Sequence, residues 1–117
     1  MKIEAGIPKT KPLKVEKEDD PKKLDGTYLQ GHLNASYQQL CATFGSPRIY
    51  VNDDKVRAEW MLRFTEGDRV TYATIYDWKR DEPVEDVKEW NIGGFGWASI
   101  DCVVNALKGL SHGGVYG

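Results

Sequence analysis

Few residues in this chain are of a type and spacing that could do chemistry. Gly93-Gly94-Phe95-Gly96 stands just before a helical stretch. Free backbone N–H groups and the helix dipole at such a place can hold a phosphate, with Lys79 and Arg80 as the neutralising cations and Asn91 and Trp97 beside it. The run matches neither GxGxxG nor GxxxxGKS/T, whose cradle geometry is known. Glycines also simply permit a tight turn between strand and helix, and that is the favoured reading. Histidines stand at His32 and His112, near opposite ends of the chain, the latter in a Gly-rich tail. A Cys41–His32 nucleophile pair is conceivable. However, Cys41 lies on a core stripe, where a thiol stays protonated and inert. There is no HExxH or EF-hand spacing. The expectation is a protein that is not an enzyme, with no catalytic residues, metal ligands or cofactor.

Composition narrows the classes further. The chain has 117 residues, enough for one domain. With 16 basic and 18 acidic residues its net charge is -2. That is too balanced for a general nucleic-acid binder. Cys41 and Cys102 form no CxxC or Cys/His cluster, as expected of free thiols in a reducing compartment. No apolar run approaches the ~18 residues of a membrane span, and no signal-peptide core opens the chain. A soluble cytoplasmic protein is expected.

The elements that must position these residues follow in order. Residues 1–24 hold three of the five prolines and no aromatic residue. They read as an extended or mobile arm. Residues 27–33 form a short strand, with Gly31 marking a bulge or close contact. Ser36 and Gln39 make a capping box for a helix whose stripe is Tyr37, Leu40, Cys41 and Phe44. Gly45 caps that helix and Pro47 stops it. A stretch over 48–54, readable as a short strand ending in an Asn-Asp-Asp turn, leads into a hairpin. After the hairpin comes a charged loop over 79–88, then a strand over 89–92. A helix over about 97–108 follows, with Trp97, Ile100, Val104 and Leu107 on its apolar face and Cys102, Val103 and Ala106 beside it. Residues 111–117 read as a flexible tail.

The hairpin is the strongest strand signal. Ala58, Trp60, Leu62 and Phe64 alternate with Arg57, Glu59, Met61 and Arg63. On the return, Val70, Tyr72, Thr74, Tyr76 and Trp78 alternate with Thr71, Ala73, Ile75 and Asp77. A two-residue loop at Glu66-Gly67 would pair Trp60 with Ala73. A three-residue loop at Thr65-Glu66-Gly67, with Gly67 left-handed, pairs Trp60 with Tyr72 and gathers the large apolar residues on one face. The second register is expected, with Trp60 and Tyr72 both in the core. Arg57, Glu59, Met61 and Arg63 would then form an exposed contact face. The aromatic row reads as core rather than as a stacking platform for bases.

Five segments together carry a resemblance: Leu29 to Gly31, Phe44 to Pro47, Ala58 to Trp60, Ala73 to Lys79 and Trp90 to Gly94. They read LQG, FGSP, AEW, ATIYDWK and WNIGG. In these the chain resembles a family of small bacteriophage-encoded proteins of unassigned role. The likeness covers roughly residues 29–107 and supplies no catalytic residue. The element order also looks like the small α+β folds of β-barrel-assembly lipoproteins and β-lactamase-inhibitor proteins, an analogy of fold alone.

The expected fold is α+β, an antiparallel sheet of about four strands with two helices on one face. One domain spans residues 25–110. The resemblance implies a phage-encoded accessory protein that binds and inhibits a host protein in the host cytoplasm, such as a component of CRISPR or another defence system. The alternative is a sponge that sequesters a nucleotide immune signal, working as a homo-oligomer. A small enzyme ranks last. The candidate binding residues are Arg57, Glu59, Arg63, Lys79, Arg80, Asn91, Gly93, Gly94, Phe95 and Trp97.

Overall fold

Ser36 and Gln39 start the first helix as their types require. In the computed structural model, which describes residues 13–109, the Ser36 hydroxyl accepts from the Gln39 N–H at 3.0 Å. The Gln39 side chain accepts from the Ser36 N–H at 2.8 Å. The helix α1 (Tyr37–Phe44) ends at Gly45, whose φ of +85° suits a residue without Cβ and whose N–H donates to Cys41 O.

Around it the chain forms an α+β fold with a six-stranded antiparallel sheet. The strands are β1 (Lys14–Lys17), β2 (Tyr28–Asn34), β3 (Arg48–Ile49), β4 (Ala58–Glu66), β5 (Arg69–Tyr76) and β6 (Glu89–Gly94). A second helix, α2 (Ala98–Gly109), follows β6. The order across the sheet is β1-β4-β5-β6-β2, with β3 also on β4. About four strands were expected; β1 and β3 make up the difference. Both cover the outer edge of β4, β1 against Leu62–Thr65 and β3 against Ala58–Glu59. A short strand gains its stability from such a neighbour rather than from its own sequence.

The start of the domain is corrected by the same finding. The sheet begins within the segment assigned to the arm: Lys14–Lys17 pair with β4, and Leu24 is buried. From β1 at one edge, the chain crosses to β2 at the other. It does so through a 3-10 turn at Pro21–Leu24 that packs on β5, beneath the face opposite the helices. The rest of the expected arm, residues 1–12, and the tail at 111–117 lie outside the described residues.

The hairpin register differs from the expected one. Glu66 pairs with Arg69 across a two-residue turn at Gly67-Asp68, and Trp60 pairs with Ile75. Gly67, at φ +62°, takes the first turn position, where a glycine suits a hairpin. Trp60, Leu62 and Phe64 therefore share the helix-facing side with Ala73 and Ile75, while Tyr72 lies on the opposite face. The space between sheet and helices is already filled by large rings. Trp60 meets Trp90 edge-on at 5.3 Å and Tyr37 packs on both, while Phe44 meets Phe64 edge-on. Only small or aliphatic side chains of β5 fit beneath them.

Both buried indoles also hold α1 in place. Trp90 donates to Ala35 O just before the helix, and Trp60 donates to Gly45 O just after it. A buried indole N–H needs such an acceptor. Leu40, Phe44, Trp60 and Leu62 lie in the core as expected. On α2 Ser99, Val103 and Ala106 are buried, Ile100 and Leu107 of the expected face pack against the core, and Trp97 is exposed. Gly94 has no side chain, so Ser99 sits directly against the strand.

Candidate functional site

The expected contact face of β4 is occupied. Met61 is buried. Arg57 holds the buried Asp77 carboxylate through Nε at 2.9 Å, and its Nη1 donates to Glu82 O at 2.7 Å. Asp77 also accepts from the N–H groups of Arg57 and Ala58. This is why a carboxylate can be buried just past β5: it is paired with a guanidinium and accepts from two backbone N–H groups. Glu59 accepts from the Tyr50 hydroxyl at 2.6 Å and from the Thr74 hydroxyl. Burial, aided by that carboxylate, pushes the Tyr50 hydroxyl pKa up. Arg63 ties β1 and the crossing segment to β4 through Glu16 at 2.7 Å and Glu18 at 3.5 Å. The Arg63 hydrogen bond holds the Glu16 carboxyl below its usual range. Arg57, Glu59 and Arg63 are thus internal fasteners.

The glycine run is also placed differently from a phosphate cradle. Gly93 and Gly94 lie inside β6, paired with β5 on one side and β2 on the other. Strand N–H groups between two neighbours are directed into the ladders. A Cβ on Gly93 would stand 2.8 Å from Thr74 Cγ2, and one on Gly94 2.3 Å from Ser99 Oγ. The two glycines allow close packing on both faces of the sheet.

Of the remaining candidates, Arg80 and Asn91 line an open groove of about 510 Å³ on the face away from the helices. Tyr76 and Trp78 meet edge-on at 6.4 Å on one side of it. Lys55 and Lys79 place their ammonium groups 6.0 and 5.6 Å from the Trp78 ring centre. This is a cation–π arrangement worth roughly 0.5–1 kcal/mol at exposed sites. Lys79 stands at φ +52°, a left-handed bend that turns the chain out of β5, and its N–H donates to Lys55 O. On the other side, His32 Nδ1 and Asn91 Oδ1 are 2.9 Å apart. Arg80 bridges Glu82 at 2.8 Å and Glu89 at 3.4 Å. Arg80 holds the Glu82 carboxyl down at about 2, helped by backbone N–H donors.

A second aromatic cluster lies outside the groove lining. There Tyr28, Phe95 and Trp97 are 62%, 49% and 76% exposed, and the Tyr28 hydroxyl donates to Phe95 O. Of the expected site residues, the structure brings Lys79, Arg80 and Asn91 together at the groove and Phe95 and Trp97 at the second cluster. Tyr76, Trp78, Leu29, Tyr28 and His32 were not foreseen there. A signal was present for Trp78: the Lys79 and Arg80 that follow it suit a solvent-facing position better than a core one.

The groove can hold a flat ring or an apolar side chain against Trp78, with cations at its rim. No Ser, Thr or Cys lines it among the described residues. His32 and Cys41 are not a pair: Leu33 faces the helices, so His32, next to it in β2, faces away from α1. Among the described residues no group of three His, Cys, Asp or Glu is placed to hold a metal ion. No described helix is long and apolar enough to cross a membrane. Comparison with known proteins gives no match to a family model, a curated protein or a solved structure.

Proposed function

We propose that the chain is a non-enzymatic binding protein, encoded by a bacteriophage, that docks on a protein of the host defence machinery in the host cytoplasm and inhibits it. The phage origin and the host target rest on the five-segment resemblance. The observation that carries the binding role is the exposure of Trp97, Tyr28, Phe95 and Trp78. Large rings left in solvent are the residue types that dominate binding energy at protein interfaces.

The test is affinity purification of the tagged protein from infected cells, with mass spectrometry of co-eluting proteins and of heat-released small molecules. A stoichiometric host protein, lost on Trp97→Ala with Trp78→Ala in a chain that still folds, supports the reading. Equal recovery by that variant refutes the contact surface.

One observation favours a second reading, the nucleotide sponge. Trp78 presents an aromatic face with Lys55 and Lys79 beside it, which suits a planar anion by stacking and charge. In that case a nucleotide is released on heating, and adding it raises the melting temperature with concentration.

A further inference from the structure

β2 ends the sheet, and its outer side has no strand against it among the described residues. Which groups point outward follows from one bond. The Ala35 N–H donates to Lys88 O, toward β6, at 3.0 Å. Along a strand the direction alternates, so Leu33 and Gly31 also face β6, whereas His32 and Asn34 present their N–H and C=O to the open side.

The two edges of the sheet are built differently. At the opposite edge β4 is covered by both β1 and β3, and β1 carries Lys14, Glu16 and Lys17. Charged side chains of that kind discourage strand addition. β2 reads YLQGHLN, with no Lys, Arg, Asp, Glu or Pro. Its one guard is the bulge between Leu29 and Gly31, where Gln30 Nε2 donates to Gly94 O. The bulge lies in the first half and leaves residues 31–34 in regular register with β6.

We propose that the outer edge of β2 pairs antiparallel with β2 of a second copy of this chain, joining the two sheets into one. A two-fold contact sets the residue at its axis opposite its own symmetry mate and every other residue opposite one equally far on the other side. Charges of one sign along such a strand would face one another there. β2 carries no formal charge on its acidic or basic side chains, because it has none, so this pairing meets no like-charge opposition. It would also bring shelter to Tyr28 and Leu29, which are 62% and 48% exposed.

The test uses the full chain. Sedimentation equilibrium over a range of concentrations should give twice the chain mass, and amide hydrogen exchange at His32 and Asn34 should slow as the dimer forms. Asn34→Pro removes an outward N–H, a change an edge strand tolerates, and should give a monomer with an unchanged far-ultraviolet spectrum. If that variant fails to fold, the exchange measurement on the unaltered chain decides. Four results overturn the proposal. One is a monomer at every concentration with freely exchanging His32 and Asn34 amides. Another is protection of those amides in the monomer, which means that the chain covers its own edge. A third is protection only when a different protein is added. The last is a dimer in which those amides exchange as fast as in the monomer.

Discussion

Gly94→Ala separates a packing glycine from a ligand-binding one. The new Cβ would stand 2.3 Å from Ser99 Oγ, 2.5 Å from Ser99 Cβ and 3.3 Å from Tyr72 O. Ser99 cannot swing aside, because its Cβ is fixed to the α2 backbone and its hydroxyl donates to Gly96 O at 2.7 Å. Reducing unfolded-chain freedom by Gly→Ala stabilises by about 0.4–1 kcal/mol where the site has room. Overpacking costs about 1–3 kcal/mol, so the clash wins and the net loss is about 1–2 kcal/mol. That lowers the melting temperature by roughly 4–8 °C for each kcal/mol. Gly96→Ala is the control: its Cβ would meet nothing within 4 Å, so stability should hold or rise slightly. Urea unfolding followed by tryptophan fluorescence reads both, since Trp60 and Trp90 are buried. Adding Ser99→Gly to Gly94→Ala should recover part of the loss as a coupling in the double-mutant cycle. Equal stability of Gly94→Ala and the unaltered chain would refute the packing argument.

Three further outcomes are expected. Asp77→Ala removes the acceptor of two backbone N–H groups and the partner of Arg57. It should cost on the order of 3 kcal/mol in urea unfolding, and a loss under about 1 kcal/mol would count against a structural role for the pair. Arg80 lowers the Glu82 carboxyl from the ordinary 4.5 to about 2. The stabilisation from that contact is therefore present above pH 4.5 and lost as the pH falls through about 2. A carboxyl titration by NMR should show this, and Arg80→Ala should return Glu82 toward 4.5. Burial pushes the Cys102 thiol up, so a disulfide reagent at neutral pH should modify Cys102 more slowly than an unfolded-state cysteine; equal rates would show that the helix does not shield it.

Local chemistry was legible in the sequence. The capping box of α1 and its Gly45 stop depend on residues within one helix, and strand alternation marked β4 and β5 as strands. Which face of β5 turns inward was not local. Tyr72 and Tyr76 form one row, Ala73 and Ile75 the other, and either alternates well. The choice fell to Trp60, Trp90 and Phe64, which fill the layer under the helices and leave room only for the smaller row. The candidate site moved with that choice: Tyr76 and Trp78 left the expected core for the groove, while Arg57, Glu59 and Arg63 became fasteners. β1 was equally out of reach, because KVEK becomes a strand only where the edge of β4 offers it hydrogen-bond partners. Sequence by itself determined the elements whose interactions run within a few residues. Register, the two added strands and the position of the groove were decided by volume and pairing between residues far apart in the chain, which no window of sequence contains.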